Sequence, residues 1–263
     1  MYESFKALKI ERKGPILWVT LDNPPMNGPG EVAHRELSCV FREISRDPET
    51  RAVVLTGAGT RAFSAGGAPS KMQDTVGNSA EWVRGMPEAR EIIMNILECD
   101  KPIIGRINGH AIGMGCSLAL ACDITVMVET ARIADTHVKV GLVCGDGGSL
   151  LWPHLVGLVK ARRYLLTGDL LTGREAAEIG LVTEAVPADK LDERIDYWCE
   201  RFGNGATRAI SLTKRALNSA IRQQGQIHMD ASLGLETWSF LSEDHMEGLK
   251  AFSEKRDPVF KGR

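Results

Sequence analysis

The sequence predicts an α/β fold whose first two thirds alternate strands with helices and whose last third is mostly helical. Three observations predict it. Short β-branched runs are bounded by glycine and proline, stretches of helical period stand between them, and the character changes after Gly168.

The elements follow in order. Residues 15–21 (PILWVTL) form a β-branched and aromatic run, and with residues 8–12 before them they read as a hairpin. The segment NPPMNGPG reads as loop. Over residues 31–45 the apolar positions Val32, Leu37, Val40, Phe41 and Ile44 recur at helical spacing. Residues 51–56 (RAVVLT) follow as a buried strand. Then come a helix around 88–97, a strand at 103–107, a helix from about Gly113 and a strand at 124–128. Beyond Gly168, residues 174–179, 191–202, 206–221 and 229–241 read as helices, and only 182–186 resembles a strand.

A chain of 263 residues is long enough to bury a sizeable core. With 43% hydrophobic and 25% charged residues it has an ordinary globular composition. The 32 basic and 34 acidic residues leave a net charge of -2 with no long block of one sign, which excludes a nucleic-acid surface. The N-terminus lacks an apolar signal core, and the most apolar run, residues 117–128, is too short to span a bilayer and carries Asp123. A cytoplasmic protein without membrane contact is expected. Cys39, Cys99, Cys116, Cys122, Cys144 and Cys199 show no CxxC spacing and read as reduced and buried, with no metal site.

Two segments carry chemistry. Residues 62–67 (AFSAGG) follow a buried strand, and their small residues let the backbone turn sharply and expose its N–H groups to a ligand. Residues 107–115 (INGHAIGMG) also leave a strand and open a helix, whose first N–H groups lack intrahelical partners. Two such donors side by side make an oxyanion hole.

Together FSAGG and INGHAIGMGCSLALACD resemble the two signature segments of the crotonase (enoyl-CoA hydratase/isomerase) superfamily. The likeness extends over nearly the whole chain, through RAVVLTG, IADTHVKVGLVCGDGG, LLTGDLLTGREAAEIGLVTEAVP and the terminal KRDPVFKGR. It implies a spiral of repeated ββα units over residues 1–200 and a helical trimerisation region over 201–263. It implies a lyase or isomerase of fatty acid metabolism acting on an acyl-CoA thioester through a stabilised enolate, assembled as a homotrimer or homohexamer. Coenzyme A would enter as part of the substrate, with no separate cofactor. The oxyanion donors implied are Gly67 and Met114, and the substrate contacts implied are Ala65, Ala68, Ser70 and Phe260.

Matched residue by residue, Ser117 and His137 fall where a family hydratase carries its two glutamates, so the usual carboxylate pair is replaced. Asp146 follows His137 by nine residues, which span about 30 Å when extended. Gly141, Gly145, Gly147 and Gly148 allow the chain to double back, so that Asp146 orients the imidazole and His137 acts as base. This pair, with GDGG and WPHLVG, also resembles a superfamily branch that includes carbon–carbon bond hydrolases of β-diketones. Those enzymes carry a further His near position 114, where this chain has Met. Glu236 reads as a solvated helix face, and His110 is the other histidine near the turn. Two rivals are a noncatalytic binding protein of the same fold and a dinucleotide-binding oxidoreductase. The latter rests on residues 57–62 (GAGTRA), after which no helix opens.

Overall fold

The computed structural model describes residues 2–66 and 79–263. Its first hairpin joins β1 (Leu8–Lys13) to β2 (Ile16–Leu21), antiparallel with Lys13 opposite Ile16. After α1 (Glu31–Arg46) the chain repeats one pattern three times: β3 (Ala52–Gly57) with β4 (Ala62–Ser64), β5 (Ile103–Ile107) with β6 (His110–Ile112), and β7 (Ile124–Val128) with β8 (Arg132–Ala134). The helices after them are α2 (Ser79–Glu98), α3 (Met114–Leu120) and, beyond a 3-10 turn at His137–Val140, α4 (Gly148–Thr167).

In each repeat the first strand joins one sheet and the second joins another. The larger sheet, with β10 (Glu184–Val186) at its edge, has the order β1-β2-β3-β5-β7-β10, and its pairings beyond the hairpin are parallel. The smaller has the order β4-β6-β8-β9, where β9 is Leu171–Thr172. This is the α/β spiral of ββα units that the sequence implies.

Burial explains the strands' composition. All six positions of β3 are buried, as a sheet covered on both faces requires. On α1, Leu37, Val40, Phe41 and Ile44 are fully buried, whereas Val32 points outward at 53% exposure. The remaining helices are α5 (Gly173–Glu178), α6 (Leu191–Gly203), α7 (Thr207–Leu217), α8 (Ser219–Phe240) and α9 (Glu243–Glu254). The expected helix over 206–221 is therefore two, separated at Asn218. The boundary expected at residue 200 falls inside α6. The C-terminal helices pack on the core: α8 contacts α2 and α4, and the buried Lys214 ammonium reaches Asp123 at 2.7 Å and the Lys101 carbonyl at 3.0 Å.

α4 was not expected. Pro153 and Gly157, the latter at φ +75°, interrupt it, and Leu155, Leu158, Val159 and Leu166 are exposed, so its apolar residues follow no single face. The six cysteines are free, but Cys39, Cys144 and Cys199 are only half-buried, contrary to the expectation for all six. Among the described residues no helix is long and apolar enough to cross a membrane.

Candidate active site

The two glycine-bearing segments meet backbone to backbone. Gly66 adopts φ +68°, and a Cβ there would sit 3.1 Å from the Ile112 carbonyl oxygen and 3.5 Å from the Met114 nitrogen. A Cβ on Gly115 would collide with the Ser64 carbonyl. Only glycine permits this approach. Gly113, at φ +57°, donates to the Ala134 carbonyl at 2.9 Å and opens α3, so the Met114 N–H begins the helix with no intrahelical acceptor. Half-buried Ala65 donates its own N–H to Met26 at 2.9 Å. Gly67, Ala68 and Ser70 lie outside the described residues.

Beside this junction stands a buried polar cluster. Asp135 leaves β8 and His137 begins the 3-10 turn two residues later, so one Asp135 oxygen accepts both the His137 backbone N–H at 3.3 Å and Nδ1 at 2.7 Å. Asp146 Oδ2 lies 3.6 Å from Nε2, and the other Asp146 oxygen accepts the Ser117 hydroxyl at 3.1 Å. The loop that returns Asp146 passes through Gly141 at φ +71° and Gly147 at φ +132°. The His137 side chain keeps 12% exposure, and a Cβ on Gly113 would lie 3.8 Å from its Cε1, which sets the ring at the mouth of the helix opening.

Glu236 corrects the sequence reading. It is 3% exposed rather than solvated, its Oε2 has no hydrogen-bond partner, and a Cβ on Gly145 would come within 2.6 Å of that oxygen. Asp135 is the other group the sequence reading passed over: it lies on Nδ1, whereas Asp146, expected to orient the ring, faces Nε2. The Asp-Thr-His spacing, which favours an Asx turn, was the signal for it. The signal for Glu236 was its helical spacing from Met229, Leu233 and Phe240, which are buried on the same face.

Electrostatics binds these groups into one unit. Burial opposes charge on His137, but Asp135, Asp146, the Asp135 hydrogen bond and Glu236 together outweigh it and hold its pKa well above 6.5. Burial raises Asp146, His137 and the Ser117 hydrogen bond pull it down, Asp135 pushes it up, and the net direction is upward. Burial and the Asp146 charge, with a further push from Asp135 and against the pull of His137, push Glu236 from 4.5 up to about 8. Ligand atoms of Asp135, His137 and Asp146 lie within 4.8 Å of one another. The ring stands between the carboxylates, with a different nitrogen toward each. The arrangement suits a shared proton.

The other expected positions lie apart from this cluster. His110 Nδ1 accepts the Arg132 N–H at 3.0 Å, a contact between neighbouring strands. Phe260 is 42% exposed on a tail that folds over the start of α9, where Lys261 and Gly262 donate to the Asp244 carboxylate at 2.6 and 2.8 Å. With Val138, Gly141 and Leu142 it lines a groove of about 420 Å³.

A ββα spiral that stacks two strand-to-helix turns beside an acid–base cluster is the architecture of the crotonase superfamily. The chain belongs to the enoyl-CoA hydratase/isomerase family, whose pattern matches residues 11–263. It is 33% identical over 262 residues to a carnitinyl-CoA dehydratase of Salmonella heidelberg, covering 98% of this chain and 99% of that one. To a carnitinyl-CoA dehydratase of Citrobacter koseri it is 34% identical, with the same coverage. Among solved structures, an enoyl-CoA hydratase/isomerase from Mycobacterium paratuberculosis superposes with a TM-score of 0.87 at 32% identity, covering 93% of this chain and 97% of that one. A carnitinyl-CoA hydratase from Mycobacterium avium superposes with a TM-score of 0.84 at 30% identity, covering 98% and 99%.

Proposed function

We propose that the protein is an acyl-CoA lyase or isomerase that stabilises a thioester enolate with the backbone N–H groups of Met114 and Gly67 and moves protons with His137 and Asp146. The observation that carries this reading is the His137 ring beside Gly113, within reach of a carbonyl held at the start of α3. Fixed donors placed where charge develops are worth roughly 3 kcal/mol each in such reactions. Ser117 and His137 stand in place of the two hydratase glutamates, and the proton work passes to a different pair. The carboxylates of Asp135 and Asp146 shift the His137 ring toward its charged form, which makes the ring the proposed acid, and the Asp146 carboxylate 3.6 Å from Nε2 is the proposed base. Asp135 fixes the ring through Nδ1, and Glu236 enters as a neutral carboxyl.

Coenzyme A arrives as part of the substrate, and Ala65, Ala68, Ser70 and Phe260 are its proposed neighbours. The names of the relatives support an acyl-CoA, including one with a carnitine-like acyl group. Exposed Leu217 (75%), Trp238 (75%) and Leu241 (63%) support assembly as a homotrimer or homohexamer through the helical C-terminal region. A cytoplasmic location follows from the same reading.

A second reading, carbon–carbon bond hydrolysis of a β-diketone, draws on the His137–Asp146 contact at 3.6 Å. Calorimetry and turnover with acetoacetyl-CoA, crotonyl-CoA, carnitinyl-CoA and a cyclic β-diketone separate the two. Saturable binding of an acyl-CoA supports the first reading. Binding of the diketone with no response to any thioester overturns it in favour of the second, and no binding by either class sinks both.

A further inference from the structure

His245 is fully buried and takes no part in the proton chemistry above. Its Nδ1 lies 2.7 Å from the Val140 carbonyl, which can only accept, so Nδ1 carries the hydrogen. Val140 is the last residue of the 3-10 turn that His137 begins. The backbones of that turn and of α9 touch, because a Cβ on Gly248 would lie 2.7 Å from the Val140 carbonyl carbon and one on Gly141 would lie 2.8 Å from the His245 nitrogen. The Ser242 hydroxyl caps α9 by accepting the His245 N–H at 3.1 Å, which starts the helix so that residue 245 meets the turn.

The choice of histidine is informative. Its ring lies against Phe240 at 5.1 Å, and Phe240 stacks on Trp82 at 4.0 Å and 13°. A phenylalanine would fill such an aromatic slot at no polar cost. Nε2 has no hydrogen-bond partner, so the ring bears a buried unsatisfied nitrogen. What the imidazole adds over phenyl is the single hydrogen bond to Val140. We propose that His245 is a positioning residue: by donating Nδ1–H to the Val140 carbonyl it fixes the turn on which His137 stands, and so holds the imidazole between Asp135 and Asp146. This rests on the acid–base role assigned to His137.

Two variants test it. His245→Phe keeps the ring and the stack and removes the donor, whereas His245→Asn keeps a donor near the place of Nδ1. The first readout is the titration of the His137 ring, followed by NMR on protein labelled at histidine. The latch predicts that His245→Phe lowers the His137 midpoint by about one pH unit or more, since loosened carboxylates stabilise the imidazolium less. It predicts a fall of about 10- to 100-fold in kcat with KM little changed, the scale of a misplaced catalytic group. His245→Asn recovers most of both. A His137 midpoint unmoved in His245→Phe, with only a lower thermal midpoint, overturns the proposal and leaves His245 a packing residue. An Asn variant that falls as far as the Phe variant does the same. Should His245→Phe fail to fold, His245→Leu, which also lacks the donor, takes its place beside His245→Asn, and a His137 midpoint unmoved in His245→Leu overturns the latch. The NMR readout needs no substrate, so an absence of acyl-CoA turnover would count against the proposed function and leave the latch independently tested.

Discussion

Replacing Glu236 by glutamine keeps the shape of the side chain and removes its ability to ionise. Burial, with the negative charges of Asp146 and Asp135, raises this carboxyl from 4.5 to about 8. The group is 3% exposed, so solvent screens it little. A carboxyl whose folded pKa is raised contributes stability that is complete below pH 4.5 and is lost as the pH climbs through about 8. At about pH 6 most of the folded protein still holds this proton, and at about pH 9 most does not; linkage between those points removes roughly 3 kcal/mol from the wild type. The Glu236→Gln variant has no such proton to lose. Its thermal midpoint relative to wild type therefore climbs by about 6–12 °C from pH 6 to pH 9, at about 2–4 °C per kcal/mol for a chain of this size. The contribution of His137, whose raised pKa also stabilises at low pH and fades as the pH rises, is present in both proteins and largely cancels in the difference. Scanning calorimetry of both proteins at the two pH values is the assay. A gap that stays constant from pH 6 to pH 9 would refute the assignment of Glu236 as a buried neutral acid.

Other perturbations read the same cluster from other sides. His137→Ala lowers kcat by about 100-fold or more, the scale of a positioned acid or base, and Asp146→Asn falls comparably, whereas Ser117→Ala stays within about tenfold because it removes one ordinary hydrogen bond; steady-state kinetics on the acyl-CoA that binds checks all three. Asp135→Asn lowers the His137 midpoint, measured by NMR, because the carboxylate 2.7 Å from Nδ1 is gone. Gly148→Ala drives a methyl into the Asp135 carboxylate and costs roughly 1–3 kcal/mol in urea unfolding. Light scattering at micromolar concentration should give the mass of a trimer or hexamer, and a monomer would remove the explanation offered for exposed Leu217 and Trp238.

The strands were legible because each is a short apolar run closed by glycine, proline or a polar residue, and β5 and β7 fall where the sequence places them. The short strands of the second sheet were not. β4 and β6 have three residues each and sit inside the glycine segments, where the turn signal outweighs the strand signal. Helix α4 escaped for a related reason, since Pro153 and Gly157 break the period that would reveal it. Along the C-terminal helices Leu217 is exposed, Ile210 is half-buried and Ile221 packs on the core, so one period does not continue through the break at Asn218.

In the site, the His137–Asp146 approach was foreseeable because four glycines between and beside them give the loop its freedom to reverse. Asp135 and Glu236 were harder to read, because a carboxylate declares its role only through what packs over it. Glu236 lies on a helix that a linear reading sets on the surface, and Asp135 is hidden inside a two-residue turn. Their burial changes the chemistry more than their identity does. Three carboxyl groups around one imidazole cannot all be ionised in a space this closed without paired protons. In the proposed mechanism His137 carries the charge and Glu236 stays neutral, and Asp146, tethered by Ser117 and facing Nε2, is the group that takes the proton from a substrate. In that mechanism the sequence names the acids, and their mutual distances assign the base.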